Sequence, residues 1–389
     1  MNQPDPTLPV VPEWNLLLAA SSPDPHNSGL DQIRFCLRQA LDWHALLQVA
    51  DRHGTTALLY QNLAPLADAI PPAAMASLRQ SYEKNIHKSL FLTRELIRIL
   101  ECLGMLGIEV IPYKGVVLSE LYYGDMALRQ SGDMDLFVHS HDVARIKSAV
   151  CDLGYTPRVF IPDNAEPDYI ASGYECTFDS TAGKNLLELQ WALQPRFYSV
   201  NFDMDGLFKR AGEATVAGHA MRTPSPEDLL LILSLHAAKH VWGRLIWLRD
   251  IAQIMKSENL DWDWICSQAV ELGVEKILHI TLLLLDKFFR TKLPAIIESK
   301  TLEDKSAKVL AERIAISVAT GMNYEEEKLS YFRLMVQLRE RKTDRLRFLT
   351  RLTFTPGPGE WATVRLPKTL FPLYRLVRLA RLAARGVTP

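Results

Sequence analysis

Cysteine is scarce. Cys36, Cys102, Cys151, Cys176 and Cys266 are odd in number, and none are paired as Cys-x-x-Cys. That excludes a disulfide framework and a Cys-x-x-Cys zinc site, and it points to reduced thiols in a cytoplasmic protein. Long apolar runs are lacking as well. The longest lie near Leu229–Leu235 and Ile277–Leu285, about half of the ~20 residues that a membrane span needs. The N-terminus has no basic stretch followed by an apolar core, so no signal peptide is expected. Nor is there an excess of one charge, since 44 Lys/Arg meet 45 Asp/Glu. No internal repeat or low-complexity tract is present. The expectation is a soluble, cytoplasmic protein with no strong case for nucleic acid or membrane as a partner.

What is present is a chain of 389 residues, long enough for two or three structural units. The balanced charge hides an asymmetry. From Arg341 onward there are eleven Lys/Arg against Asp344 and Glu360, a local net of +9, so residues 1–340 carry about −10. A basic tail on an acidic body can contact an anionic partner or its own body.

Five regions follow from the pattern. Residues 1–29 read as a flexible arm, rich in proline at Pro4, Pro6, Pro9 and Pro12. Residues 30–106 read as an N-terminal helical region. Leu41, Ala45, Leu46, Val49 and Ala50 repeat at helix spacing, as do Leu90, Leu92, Leu96, Ile97, Ile99, Leu100 and Leu103 beyond a break at Pro71-Pro72. Residues 107–224 change character. Ile108–Tyr113 reads as a buried strand, Gly115–Tyr123 as a helix, Asp133–His139 as a strand and His141–Leu153 as a helix. Strand-like runs follow at Tyr155–Phe160, Tyr174–Phe178 and Leu186–Leu193. Residues 225–340 read as a helical domain, opened by Ser225 as N-cap and Pro226 at the first helical position. Residues 341–389 form a basic segment, with a loop at Thr355–Glu360 and a terminal helix. Its Leu373, Leu376, Leu379 and Leu382 would pack on the body and its Arg375, Arg378, Arg381 and Arg385 would be solvated. The fold class is α+β, a small mixed sheet between helical parts.

The chemistry centres on Asp133 and Asp135. In a strand, residues two apart point to one face at roughly 6–7 Å. Carboxylates so placed repel and raise a pKa unless a cation joins them, and hard oxygen ligands suit Mg²⁺, with Mn²⁺ as the alternative. Asp-x-Asp alone is a weak pattern, more often a solvated loop. Its position narrows the choice. Phosphatases that form an aspartyl-phosphate place an apolar strand before the first Asp, whereas here Arg129-Gln-Ser-Gly132 precedes it and Leu136-Phe-Val138 follows. The Lys114-Gly115 turn about twenty residues earlier offers backbone N–H groups and one cation to phosphate. The bland alternative is an ordinary strand-to-helix turn with a surface lysine. Glu188 is the candidate third acid, with Leu187 and Leu189 facing the core. It reads equally as a solvent-facing strand residue.

These residues resemble the uncharacterised nucleotidyltransferase family of bacteria, a branch of the polymerase-β-like superfamily. The resemblance rests on Tyr113-Lys-Gly115, Leu121-Tyr-Tyr123, Arg129 and Gly132-Asp-Met-Asp-Leu136. It continues through Glu188-Leu-Gln-Trp191, Ser225-Pro-Glu-Asp228, His236-x-x-Lys239-His240 and Trp247-Leu-Arg-Asp250, covering roughly residues 40–385. It implies Mg²⁺-dependent transfer of a nucleotidyl group from a nucleoside triphosphate, ATP in the first instance, to a hydroxyl, phosphate or similar acceptor on a small molecule or peptide. It implies that Asp133, Asp135 and Glu188 hold the metal and act in catalysis, and that Lys114, Gly115, Arg129 and Gly132 bind the nucleotide. Two departures stand out. Lys-Gly replaces the superfamily's usual Gly-Ser, and Glu188-Leu-Gln-Trp191 replaces the frequent Asp-x-His-Trp, so Gln190 removes a titratable group.

Gln190, His236, Lys239 and His240 are candidates for the nucleotide or acceptor pocket. His236 and His240 share a helix face, and a zinc protease would need Glu where Ala237 stands. The pair reads either as part of the pocket or as a hydrogen-bonded contact between helices. Asp250 could orient one of them or pair with Arg249 or Arg244. The runner-up reading is a catalytically weak nucleotide-binding module or scaffold in a biosynthetic cluster. A glycosyl transferase using Asp-x-Asp for a nucleotide sugar is a third, disfavoured by the early Lys-Gly turn.

Overall fold

The computed structural model describes residues 11–23, 30–161, 166–181, 186–321, 329–354, 364, 366, 370 and 373–387, with side chains described to residue 380. The chain opens with helices α1 (Pro12–Ser21), α2 (Leu30–Leu37), α3 (Trp43–His53), α4 (Thr56–Leu63) and the long α5 (Pro72–Met105). Helix α1 lies inside the segment read from sequence as an arm, and corrects that reading for residues 12–21. Pro12 stands at a first-turn position that tolerates proline, and Trp14, Leu16, Leu17 and Ala20 are buried. Residues 1–10 and 24–29 of the expected arm lie outside the described residues. Helix α5 serves two cores. Its Ala74 and Leu78 join the helical core, while Leu92, Leu96, Ile99 and Leu103 pack on the sheet.

Strand β1 (Val110–Pro112) leads into the short helix α6 (Val116–Leu118), extended by a wider turn over Ser119–Tyr123. Then come β2 (Asp133–Val138), α7 (Val143–Asp152), β3 (Tyr155–Pro157), α8 (Glu166–Ser172), β4 (Glu175–Ser180) and β5 (Leu186–Gln190). The strands form one mixed sheet in the order β1-β2-β5-β4-β3. Only β2 and β5 run parallel. Parallel neighbours need a long crossover, here supplied by everything between residues 139 and 185. Each strand splits its side chains by period two. Met134, Leu136 and Val138 of β2, and Leu187 and Leu189 of β5, face the core beneath α5 and α7. Asp133 and Asp135 therefore face the other side, together with Glu188 and Gln190.

Helix α9 (Met204–Arg210) and a hairpin of β6 (Gly212–Val216) and β7 (His219–Thr223) complete this part. Neither α8 nor the hairpin was expected from the sequence, since both are short. Helices α10 (Pro226–Lys239), α11 (Leu245–Ser257), α12 (Trp262–Leu272), α13 (Glu275–Phe289), α14 (Ala295–Glu303), α15 (Lys305–Thr320) and α16 (Leu329–Gln337) follow. Ser225 caps α10 by accepting from the Asp228 N–H at 3.2 Å. Helix α10 is apolar all round, which marks a helix buried on every side, and Leu229 through Leu235 are buried accordingly. Among the described residues no helix is long and apolar enough to cross a membrane.

Two basic helices close the fold, α17 (Lys342–Phe354) and α18 (Tyr374–Val387). The expected loop at Thr355–Glu360 lies outside the described residues. Over the described residues, the expected division of α18 into a packed leucine face and a solvated arginine face holds at Arg375, which is exposed, and fails at Arg378, Leu373 and Leu376. Arg378 is 8% exposed and its Nε donates to the Leu352 carbonyl at 2.7 Å, while Leu373 and Leu376 are 40% and 59% exposed. The Leu352 carbonyl lies in the last turn of α17, where carbonyls lack an intrahelical donor, and Arg378 supplies one.

Candidate functional site

Strand pairing assembles the site. Asp135 on β2 is the register partner of Glu188 on β5, and Glu188 is in turn the partner of Thr177 on β4. Two residues along, Gln190 pairs with Glu175. The acids Asp133, Asp135, Glu188 and Glu175 thus come from three adjacent strands and line one cleft of about 540 Å³.

The turn between β1 and α6 brings in a cation. Gly115 adopts φ +58 and ψ −128, a conformation closed to other residues. A Cβ there would meet the Asp133 carbonyl oxygen at 3.1 Å. The glycine lets the turn lie against the start of β2, and Lys114 consequently points at the acids. Its Nζ is 3.1 Å from Asp135 Oδ1, with the two side chains 9% and 2% exposed. Burial works against the Lys114 ammonium, yet Asp135, then Tyr113 and Asp133, more than offset it and keep it charged.

The acids remain under strain. Burial pushes the Asp135 carboxyl up, and Lys114 does not fully reverse this because Glu188 adds repulsion. Asp133 is raised by burial and by Asp135, against the pull of Lys114, Arg129 and Lys88. Glu188 is raised by burial and then by Glu175. Asp135 Oδ2 is buried without a hydrogen-bond partner. Among the described residues no three acid, His or Cys side chains already stand as a metal cluster. The donor chemistry nevertheless fits a hard cation, because the acids are clustered, desolvated and short of positive charge, with one buried oxygen left over.

Gln190 has a defined place. The Tyr113 hydroxyl donates to its Oε1 at 2.7 Å, and its Nε2 donates to Glu188 Oε2 at 3.3 Å. Tyr113 is itself fixed by stacking on Phe137 at 3.9 Å. The amide therefore holds Glu188 by donating a hydrogen bond, and it has no titratable proton to exchange.

The far wall comes from α10 and α11. His236, Lys239 and His240 all line the cleft. The imidazoles of His236 and His240 pack at 4.8 Å, and Trp247 lies 5.1 and 5.3 Å from them. Burial, reinforced by Lys114, His240, Lys239 and Arg129, drives His236 well below its ordinary pKa, so this ring is neutral. Lys239 Nζ donates to the Tyr174 hydroxyl at 3.2 Å.

Arg129 lines the cleft but is already engaged. Its Nε donates to Asp250 Oδ1 at 2.9 Å and Oδ2 at 3.0 Å, and its Nη1 donates to Ser131 at 3.0 Å. Tyr123 donates to the same Asp250 oxygen at 2.7 Å. Asp250 thus pairs with Arg129, correcting the expectation that it orients a histidine or pairs with Arg249 or Arg244. Gly115 shapes the turn, while the lining of the cleft beside it comes from Lys114. Gly132 lines the cleft, as do Lys88 and Glu175, which sequence reasoning missed. For Glu175 a signal existed, because it lies two residues before Thr177 on one strand face. For Lys88, on the exposed side of α5, none did.

This arrangement of a lysine-bearing turn, a strand opening on two acids and a third acid on the parallel neighbour coincides with a family match. The model of the family described as Uncharacterised nucleotidyltransferase matches residues 39–290. The chain belongs to the uncharacterised nucleotidyltransferase family. Comparisons with curated proteins and with solved structures return no match. The residues matched run from just before α3 to the end of α13, so the family region contains every side chain of the cleft. Membership supports nucleotidyl transfer in general terms and a nucleoside triphosphate as the substrate.

Proposed function

We propose that this protein transfers a nucleoside monophosphate group from a nucleoside triphosphate, ATP in the first instance, to an oxygen of a small-molecule or peptide acceptor in a Mg²⁺-dependent reaction. The observation that carries the reading is the register of Asp135 with Glu188 beside Asp133, which gathers three acids on one cleft face against Lys114.

The residues divide the work. Lys114 and Lys88 attract the triphosphate as point charges, and Arg129 completes the cationic side of the cleft. Asp133, Asp135 and Glu188 would hold a divalent cation, which supplies neutralisation of the charge developing on the phosphate oxygens. Glu188 accepts the proton of the acceptor hydroxyl, and burial with Glu175 beside it raises its carboxyl above the ordinary range, which strengthens it as a base. The acceptor oxygen forms a bond to the α-phosphorus, the bond from that phosphorus to the bridging oxygen breaks, and pyrophosphate leaves with the electron pair. Gln190 positions Glu188. Neutral His236, with His240, Lys239 and Trp247, forms the wall for the nucleoside or the acceptor.

Pyrophosphate release, measured with Mg²⁺ and each nucleoside triphosphate over a panel of acceptors, tests the reading. An Asp133→Asn/Asp135→Asn double variant should be at background, and equal rates for it and the natural protein would sink the proposal. One observation favours a second reading, a nucleotide-binding module with weak turnover: Lys114 already occupies Asp135 Oδ1. Calorimetric ATP binding with no product on any acceptor would favour that reading.

A further inference from the structure

The basic C-terminal helices have a surface that the nucleotide cleft does not use. Among the described residues, seventeen large apolar side chains are exposed. Six of them lie at or after residue 341: Leu346, Leu349, Phe354, Leu370, Leu373 and Leu376. Leu346 is 64% exposed and Leu376 is 59% exposed.

The geometry separates two faces on each helix. On α17, Phe348 and Leu352 point inward, leaving Leu346, Leu349 and Lys342 outside. On α18, Tyr374 and Arg378 are buried, leaving Arg375 and Leu376 outside, with the exposed Leu373 just before the helix. The two helices pack on each other, joined by the hydrogen bond from Arg378 to Leu352. Asp344, the one acid described in this segment, is buried and paired with Arg347 at 3.5 Å. Among the described residues of the two helices, the exposed side chains are leucine, phenylalanine, alanine, lysine, arginine and threonine, with no exposed acid.

We propose that this face of α17 and α18 docks on an anionic lipid bilayer surface. Its leucines would enter the boundary between headgroups and acyl chains, and its Lys and Arg side chains would meet the lipid phosphates. A second copy of the chain fits less well, because two faces from segments of net +9 repel. Nucleic acid would satisfy the cations yet leave the leucines in water, and Phe354 is the one aromatic among the six exposed apolar residues. A bilayer surface offers both an apolar layer and anionic groups.

Co-sedimentation of the full chain with vesicles tests this. One set is phosphatidylcholine alone, the other phosphatidylcholine with an equal part of phosphatidylglycerol. The expected result is binding to the second set at least about tenfold tighter, weakening as salt is raised. Lys342→Gln and Arg375→Gln should each weaken it about fivefold. A Leu346→Ser/Leu349→Ser/Leu376→Ser variant should lose it by about tenfold or more. All of these residues are exposed, and an unchanged melting curve by circular dichroism shows that the variants fold. Equal binding to both vesicle sets, binding to neither, or full binding by the leucine variant overturns the proposal. So does binding of duplex DNA, or a monomer–dimer shift abolished by the leucine variant, in the absence of vesicle binding.

Discussion

Lys114 Nζ sits 3.1 Å from Asp135 Oδ1, and both side chains are almost completely removed from solvent. Breaking a buried ion pair from one side leaves an uncompensated charge, which costs more than the pair contributes. The Lys114→Met variant should therefore lose about 3 kcal/mol of stability. Adding Asp135→Asn should recover part of that loss. Urea unfolding of both variants checks this, and a double variant weaker than Lys114→Met would show that the lysine serves the other acids instead.

The acid cluster makes a pH prediction. Burial and then Asp135 push the Asp133 carboxyl above its ordinary value of 3.8. A carboxyl raised in the folded state binds its proton more tightly there than in the unfolded chain. Its stabilising contribution is present below the ordinary value and is lost as pH rises through the raised one. Without divalent cation the protein should thus lose stability across the window just above the ordinary Asp range. Asp133→Asn should be more stable at neutral pH by about 1 kcal/mol. The difference should close as pH falls through the window, as read from urea midpoints at stepped pH, and Mg²⁺ should narrow it at neutral pH.

Gly115 has φ +58, and a Cβ there would press on the Asp133 carbonyl. Gly115→Ala should cost about 2 kcal/mol. It should also move Lys114 away from the acids, so nucleotide affinity should fall together with stability. Unfolding curves and calorimetry with ATP check the two effects. An unchanged curve would mean that the turn relaxes freely.

Arg129 grips both oxygens of Asp250 through Nε and reaches Ser131 through Nη1. Lysine cannot reproduce that fork. Arg129→Lys keeps the charge but loses hydrogen bonds to Asp250 and Ser131, and should destabilise by about 2 kcal/mol. Arg129→Met combined with Asp250→Asn should cost clearly less than the sum of the two single changes. Additive costs would argue that the two residues act independently.

Glu188 is held by Gln190 and raised by burial and Glu175. As general base, its replacement in Glu188→Gln should lower kcat about a hundredfold or more. Nucleotide affinity measured without turnover should change only a few-fold. A loss of affinity alone, with kcat kept, would assign the residue to binding.

The local features of this protein were legible along the chain. Ser225-Pro226 opens α10 as capping chemistry requires, because an N-cap and a first-turn proline act within one helical turn. Leu187 and Leu189 against Glu188 and Gln190 announce the two faces of β5, because side chains alternate with a period of two. Lys114-Gly115 and Asp133-Met-Asp135 mark the turn and the strand opening for the same reason. The tertiary structure alone decided which residues meet across long separations. It set Asp135 opposite Glu188, gave Asp250 to Arg129 and Tyr123, and added Lys88 and Glu175 to the cleft. It also docked Pro12–Ser21 into the helical core and buried Arg378 where a leucine face was expected. These outcomes depend on which buried donor lies beside which unsatisfied acceptor once distant segments pack. Spacing along the chain fixes which face a side chain takes, but it does not fix what stands opposite.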